Sequence, residues 1–172
     1  MGVIGLSQVH KAHYISSLTE DLGEKALIIC PDEASAVKLT EDLNVFSKGA
    51  YHYPARDFNF RQTDSKSLDF EQKRLGVLCR ILDGDYNYIV CSIEAAIQLT
   101  IPPYELKRHI LKLTTEIEIS THAIIKLLIS AGYVRTEQVE GPGQYAHRGG
   151  ILDFYSPADL YPVRMELWGD EI

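Results

Sequence analysis

Two short, unbroken apolar runs set the strongest limit on what this chain can fold into. They are Lys25–Cys30 (KALIIC) and Tyr86–Ser92 (YNYIVCS). Runs of this length without polar alternation are the mark of strands covered on both faces, as in a parallel sheet. Each is joined to a segment of helical periodicity. Asp32 is placed to cap a helix in which Ala36, Leu39, Leu43 and Phe46 recur on one side. Asp69–Asp85 repeats the pattern with Leu75, Leu78 and Leu82, and Ser92 caps a further short helix, IEAAIQL, that the Pro102–Pro103 pair should stop. Strands alternating with helices predict an α/β layer with a parallel sheet.

The pattern changes after about Arg108. HILKLTTEIEIS alternates apolar and polar residues, and STHAIIKLLISAGY predicts one amphipathic helix capped by Ser120 or Thr121 and stopped near Gly132. Two strand-like stretches follow, QYAHRGGILDFY, entered through a Gly-Pro-Gly turn, and YPVRMELWGDEI. This half reads as a small α+β unit. The chain ends directly after WGDEI, as a piece of a longer polypeptide would.

Composition narrows the function classes. The 172 residues carry 17 Lys and Arg against 24 Asp and Glu, a formal charge of −7, which opposes unaided nucleic-acid binding because phosphate contacts need clustered cations. No apolar run approaches the ~20 residues of a membrane span, and no secretory signal opens the chain, so a cytoplasmic protein without membrane contact is expected. Cys30, Cys79 and Cys91 lack metal-ligand spacing and read as buried, reduced thiols. His10 and His13 have no third ligand in view, so no metal site is assigned.

The opening stretch GLSQVHKA holds half of a phosphate-binding loop, whose full form is Gly-x-x-x-x-Gly-Lys-Ser/Thr. Gly5 and Lys11 are in register. His10 replaces the second glycine and Ala12 replaces the hydroxyl that would hold magnesium. The expectation is a degenerate loop: a strand-to-helix turn that keeps its shape without its ligand.

Several segments together resemble a known family. They are the degenerate loop, YPARDFNF (Tyr53–Phe60), Glu71–Leu82, Ser130–Pro157 and Tyr161–Ile172. In this order they resemble the N-terminal part of the bacterial transcription-repair coupling factors and, more distantly, the excision-repair helicase UvrB. UvrB is expected to show an intact phosphate loop and a long DNA-gripping hairpin insertion where FNFRQTDSKSLD runs here, and both departures favour the coupling factors. The resemblance implies a degenerate P-loop (RecA/helicase-like) parallel-sheet domain over residues 1–110. It implies a small α+β domain that docks onto UvrA over residues 111–172. It further implies a non-catalytic module that recruits nucleotide excision repair to stalled RNA polymerase. ATP and magnesium would then serve motor domains elsewhere in the full-length protein, a DNA translocase, and RNA polymerase and DNA would be partners of those other domains. The alternative is an ATP-binding fragment of a UvrB-like helicase.

The residues themselves offer a docking surface. Read as a strand, VRMELW sends Val163, Met165 and Leu167 to a core and Arg164, Glu166 and Trp168 to solvent. Trp and Arg are the types most enriched at interface hot spots. Arg148 adds a second guanidinium beside Gly149 and Gly150, where missing side chains would let a partner approach; the alternative for the glycines is a bulge that bends the strand. By resemblance, Arg148, Arg164 and Trp168 are the positions that contact UvrA. UvrA would meet the guanidinium forks with carboxylates.

Overall fold

The structure is a computed structural model. It describes residues 2–56, 64–111, 113–114 and 119–166, with residues 64–69 described by their backbone. Trp168, Leu167 and much of the HILKLTTEIEIS stretch lie outside the described residues. The chain divides into two compact units, Met1–Thr100 and Ile101–Ile172.

The first unit contains α1 (Gln8–Leu22), β1 (Ala26–Cys30), α2 (Glu33–Phe46), β2 (Ala50–Tyr53), α3 (Asp64–Asp83), β3 (Tyr88–Ser92) and α4 (Ile93–Ile97). Its three strands are all parallel in the order β1-β3-β2. The central strand β3 is buried along its whole length, as its unbroken apolar run predicts. Alternate residues serve two cores. Tyr88 and Val90 meet Ala12 of α1 and Ala36, Leu39 and Leu43 of α2 on one face, while Ile89 and Cys91 meet Val77 of α3 and Ala95 of α4 on the other.

Local chemistry sets the element ends. Asp32 caps α2 by accepting from the Ser35 N–H at 2.7 Å, and Ser92 caps α4 by accepting from the Ala95 N–H at 3.1 Å. Five expectations change. β1 is an edge strand covered on one face only, so its apolar run leaves Leu27 67% and Ile29 53% exposed. Cys79 is half-buried, while Cys30 and Cys91 are buried. Phe46 is not core: it stands 43% exposed with an edge-on contact to His13. The Leu75, Leu78 and Leu82 stripe is only half-buried. The buried side of α3 instead carries Val77 and Arg74, the latter only 1% exposed. The Arg74 guanidinium stacks 4.1 Å from the Tyr53 ring and donates from Nη1 to the Pro54 carbonyl and to Gln98 Oε1, so its aliphatic stem does the work of an apolar residue. Finally, Pro103 does not stop a helix but opens one, α5 (Pro103–Arg108), with Pro102 at the cap. Proline suits a first helical position because that N–H has no partner in the helix.

The second unit is the predicted α+β type. It holds α5, α6 (Thr121–Ser130), β4 (Val134–Arg135), β5 (Gln144–Arg148), β6 (Ile151–Phe154) and β7 (Val163–Glu166). The sheet runs β4-β5-β6-β7; β4 and β5 are parallel and the other pairs antiparallel. Ser120, not Thr121, caps α6. The core packs Ile124 of α6 against Tyr145, Leu152 and Met165.

Candidate docking face

Register decides which side chains of the second unit share a face. Across β5, β6 and β7, the pairs Arg148↔Ile151↔Glu166 and Ala146↔Asp153↔Arg164 form two rows on the outer face. The rows Tyr145↔Phe154↔Val163 and His147↔Leu152↔Met165 lie on the core face. Successive residues of a strand point to opposite sides, so the alternation read from VRME holds for Arg164, Met165 and Glu166. Met165 is buried and Arg164 and Glu166 are exposed. Val163 was expected in the core and is 39% exposed, because β7 ends the sheet among the described strands.

The two arginines differ in how they are held. Arg164 grips Asp153 across the strand pair with two hydrogen bonds, Nε to Oδ1 at 2.7 Å and Nη2 to Oδ2 at 2.9 Å. This side-on pairing uses two of the five guanidinium N–H groups and leaves the Nη1 end turned away from Asp153. The Arg164 side chain is 64% exposed. Arg148 Nη2 donates to the Glu137 carbonyl. It also lines a cleft of about 560 Å³ with Arg135, Thr136, Glu137 and His147. The cleft lining includes two arginines and one glutamate, on a chain of charge −7.

Gly149 has a different duty from the one expected. With Gly150 it makes the two-residue turn joining β5 to β6, and its φ of 61° is the left-handed value such a turn requires at its first position. It is not a bulge. A Cβ added there would meet nothing within 4 Å, so conformation and not crowding demands glycine. Glu166 sits across Ile151 from Arg148. Asp153 is a site residue that the sequence reading missed, while Arg135, in register with Tyr145, belongs to the row on the other side of the sheet. Outward alternation from Ile151 already pointed to Asp153, but its pairing with Arg164 needs the register.

The Asp153–Arg164 pair sets a pH limit. Its hydrogen bonds from Arg164, aided by the charges of Arg164 and Arg148, hold the Asp153 carboxyl below the usual range. A lowered folded-state value means that the pair stabilises the fold fully above about pH 4, the ordinary aspartate value, and loses that contribution as pH falls through the lowered one. Asp153→Asn should therefore show a smaller loss of stability between pH 5 and 2 than the parent chain. Urea unfolding across that range measures the difference.

In the first unit, the Gln8–Lys11 part of the Gly5–Lys11 stretch is already helical where a phosphate loop would be open. Residues 2–6 form no strand, so the expected strand-to-helix turn is not present. Gly5 has a φ of 83°, but α1 begins at Gln8, capped by Ser7. The Lys11 N–H donates to the Ser7 carbonyl at 2.9 Å and the His10 N–H points to Ser7 Oγ at 3.5 Å. Both amides are thereby committed to the helix. Ala12, at the hydroxyl position, is fully buried in the core. Lys11 is exposed, and its charge reaches the carboxyl end of β1, where it partly offsets the upward push of burial on the Cys30 thiol.

No helix among the described residues is long and apolar enough to cross a membrane.

Comparisons with known proteins find a family match within the second unit. A family model for the UvrB interaction domain matches residues 111–172, the stretch that contains the α6 helix and the four-stranded sheet. The transcription-repair-coupling factor of Bacillus subtilis is 28% identical over 171 residues, covering 98% of this chain and 14% of that protein. The UvrABC system protein B of Chlorobium limicola is 27% identical over 185 residues, covering 99% of this chain and 27% of that protein. The coupling factor of Mycobacterium bovis is 36% identical over 115 residues, 63% of this chain and 9% of its own length. The chain thus spans a small part of the curated relatives it matches. Residues 111–172 match the UvrB interaction domain, and the chain over nearly its whole length is similar to a transcription-repair-coupling factor and to a UvrABC system protein B.

Proposed function

We propose that this chain is a docking module of nucleotide excision repair that binds UvrA through the outer face of the β5–β6–β7 sheet. The observation that carries this reading is the row arrangement: Arg148 and Arg164 stand on one solvent face, roughly 12 Å apart by strand spacing, within the matched domain. A partner surface carrying two carboxylates would engage both forks at once. In a full-length coupling factor, such a module would recruit repair to stalled RNA polymerase, with RNA polymerase and DNA held by other domains.

The first unit is, on this reading, a degenerate P-loop domain without catalysis or cofactor of its own. The helical commitment of the His10 and Lys11 amides and the burial of Ala12 support that reading. The ATP-binding alternative makes an opposite forecast. A ligand at 100 times its dissociation constant stabilises the folded state by about 2.7 kcal/mol. Millimolar Mg-ATP should leave the melting temperature of this chain unchanged, and a Lys11-dependent rise would establish the alternative.

The direct test is a titration of purified UvrA with this chain in the absence of nucleotide. Saturable binding that is weakened by Arg148→Ala supports the reading, and an absence of binding removes it.

A further inference from the structure

The outer face does not end at the Asp153–Arg164 row. The Tyr155 N–H donates to the Gln144 carbonyl and the Gly143 N–H to the Tyr155 carbonyl, so the strand pair ends past Phe154 in a bulge in which Gly143, at φ 75°, and Gln144 together face Tyr155. That sets Gln144 opposite Tyr155, one alternation beyond the Ala146 and Asp153 pair on the outer face. The β6–β7 loop is tied back to this pair. Tyr155 Oη donates to the Leu160 carbonyl at 2.8 Å, the Asp159 N–H to the Ser156 carbonyl at 3.1 Å, and the Ala158 N–H to Ser156 Oγ at 3.1 Å.

These bonds hold two large apolar residues in water. Leu160 is 70% exposed and Tyr161 is 76% exposed. Single exposed apolar residues are ordinary. Here two are adjacent, on a loop fixed by three hydrogen bonds, four and three residues before Arg164 in the chain, where the loop enters β7.

We infer that Leu160 and Tyr161 are the apolar anchor of the docking face, and that UvrA sets an apolar pocket beside the carboxylates that take Arg148 and Arg164. The inference rests on the docking reading above and gives the partner surface a second chemical requirement. Exposed charge pairs steer and orient a partner, while residence comes from aromatic and aliphatic groups seated in desolvated pockets. Arg148 and Arg164 meet the first need. Among the described residues of this face, Ile151 is 36% exposed in the Arg148 row, and the far more exposed Leu160 and Tyr161 are the adjacent pair that meets the second, at the end of the face away from the Gly149–Gly150 turn. A tied loop also loses little conformational freedom on binding.

The test compares four forms of the whole chain in titrations with purified UvrA at two salt concentrations: parent, Arg148→Ala, Leu160→Ala/Tyr161→Ala, and Tyr161→Phe. The double variant should bind at least tenfold more weakly, with its melting temperature and the salt dependence of binding unchanged. Arg148→Ala should weaken binding and flatten the salt dependence. Tyr161→Phe should keep most of the affinity, since the ring fills the pocket. A double variant that binds within twofold of the parent while Arg148→Ala is impaired overturns the anchor and leaves the docking reading standing. A parent chain that does not bind UvrA overturns both. A double variant that loses self-association of this chain at unchanged UvrA affinity assigns the pair to a second copy and likewise overturns the anchor.

Discussion

Replacing Arg164 by alanine is expected to weaken UvrA binding by about 30-fold or more, the lower bound for truncating one partner of a buried interfacial charge pair. Two effects combine. The fork that meets the partner is lost, and Asp153, which now has both oxygens occupied by Arg164, is released as an unpaired carboxylate. That carboxylate would confront the acidic groups that the guanidinium attracted. Arg164→Lys should not restore binding, because an ammonium cannot hold Asp153 with two parallel bonds and present a second edge as well. Asp153→Asn is the intermediate case: one acceptor oxygen remains, the charge does not, and the loss should fall between parent and Arg164→Ala. Calorimetric titration of the three variants against UvrA ranks them. An Arg164→Ala chain with parental affinity would remove Arg164 from the interface.

The second large effect is on stability. Leu152 is fully buried between His147 and Met165 on the core face, and it packs in the cluster with Ile124 and Tyr145. Leu152→Ala should cost about 2–5 kcal/mol, the transfer term plus the cavity left behind. In a small unit this is a large share of the total, since domains are stable by only about 5–15 kcal/mol. Urea unfolding followed by signals from the second unit measures it. The substitution leaves every outer-face residue in place, so any docking defect should vanish under conditions where the variant is folded. A shift below 1 kcal/mol would mean that the site collapses around the smaller side chain.

The sequence spoke most clearly where a strand is covered on both sides. β3 is central and buried throughout, and its apolar run stands out. β2 is an edge strand whose inner residues, Tyr51 and His52, are half-buried, and AYHY offered neither an unbroken run nor a clean alternation. Arg74 was illegible for another reason. A charged residue in a helix reads as solvated surface, and only the tertiary fold shows its stem buried against Tyr53. At the docking face, alternation alone placed Arg164 and Glu166 outward. It could not supply Asp153 as partner of Arg164, because that depends on which residues two strands set side by side. The Gly149–Gly150 pair was legible as special but not as a turn, since bulges and hairpins call for the same residues. Ser7 changed the reading of the opening stretch most: one capping side chain brings the helix start forward to Gln8 and commits the amides that a phosphate loop would leave open.

The grip of Asp153 on Arg164 has an entropic consequence. A free arginine samples many rotamers within nanoseconds and gives up that freedom when a partner holds it. Here a neighbouring strand has already fixed the direction of the guanidinium, so that loss is met when the chain folds and not when it docks. Loosening the grip should show chiefly as a complex that falls apart sooner, with little change in how fast it forms.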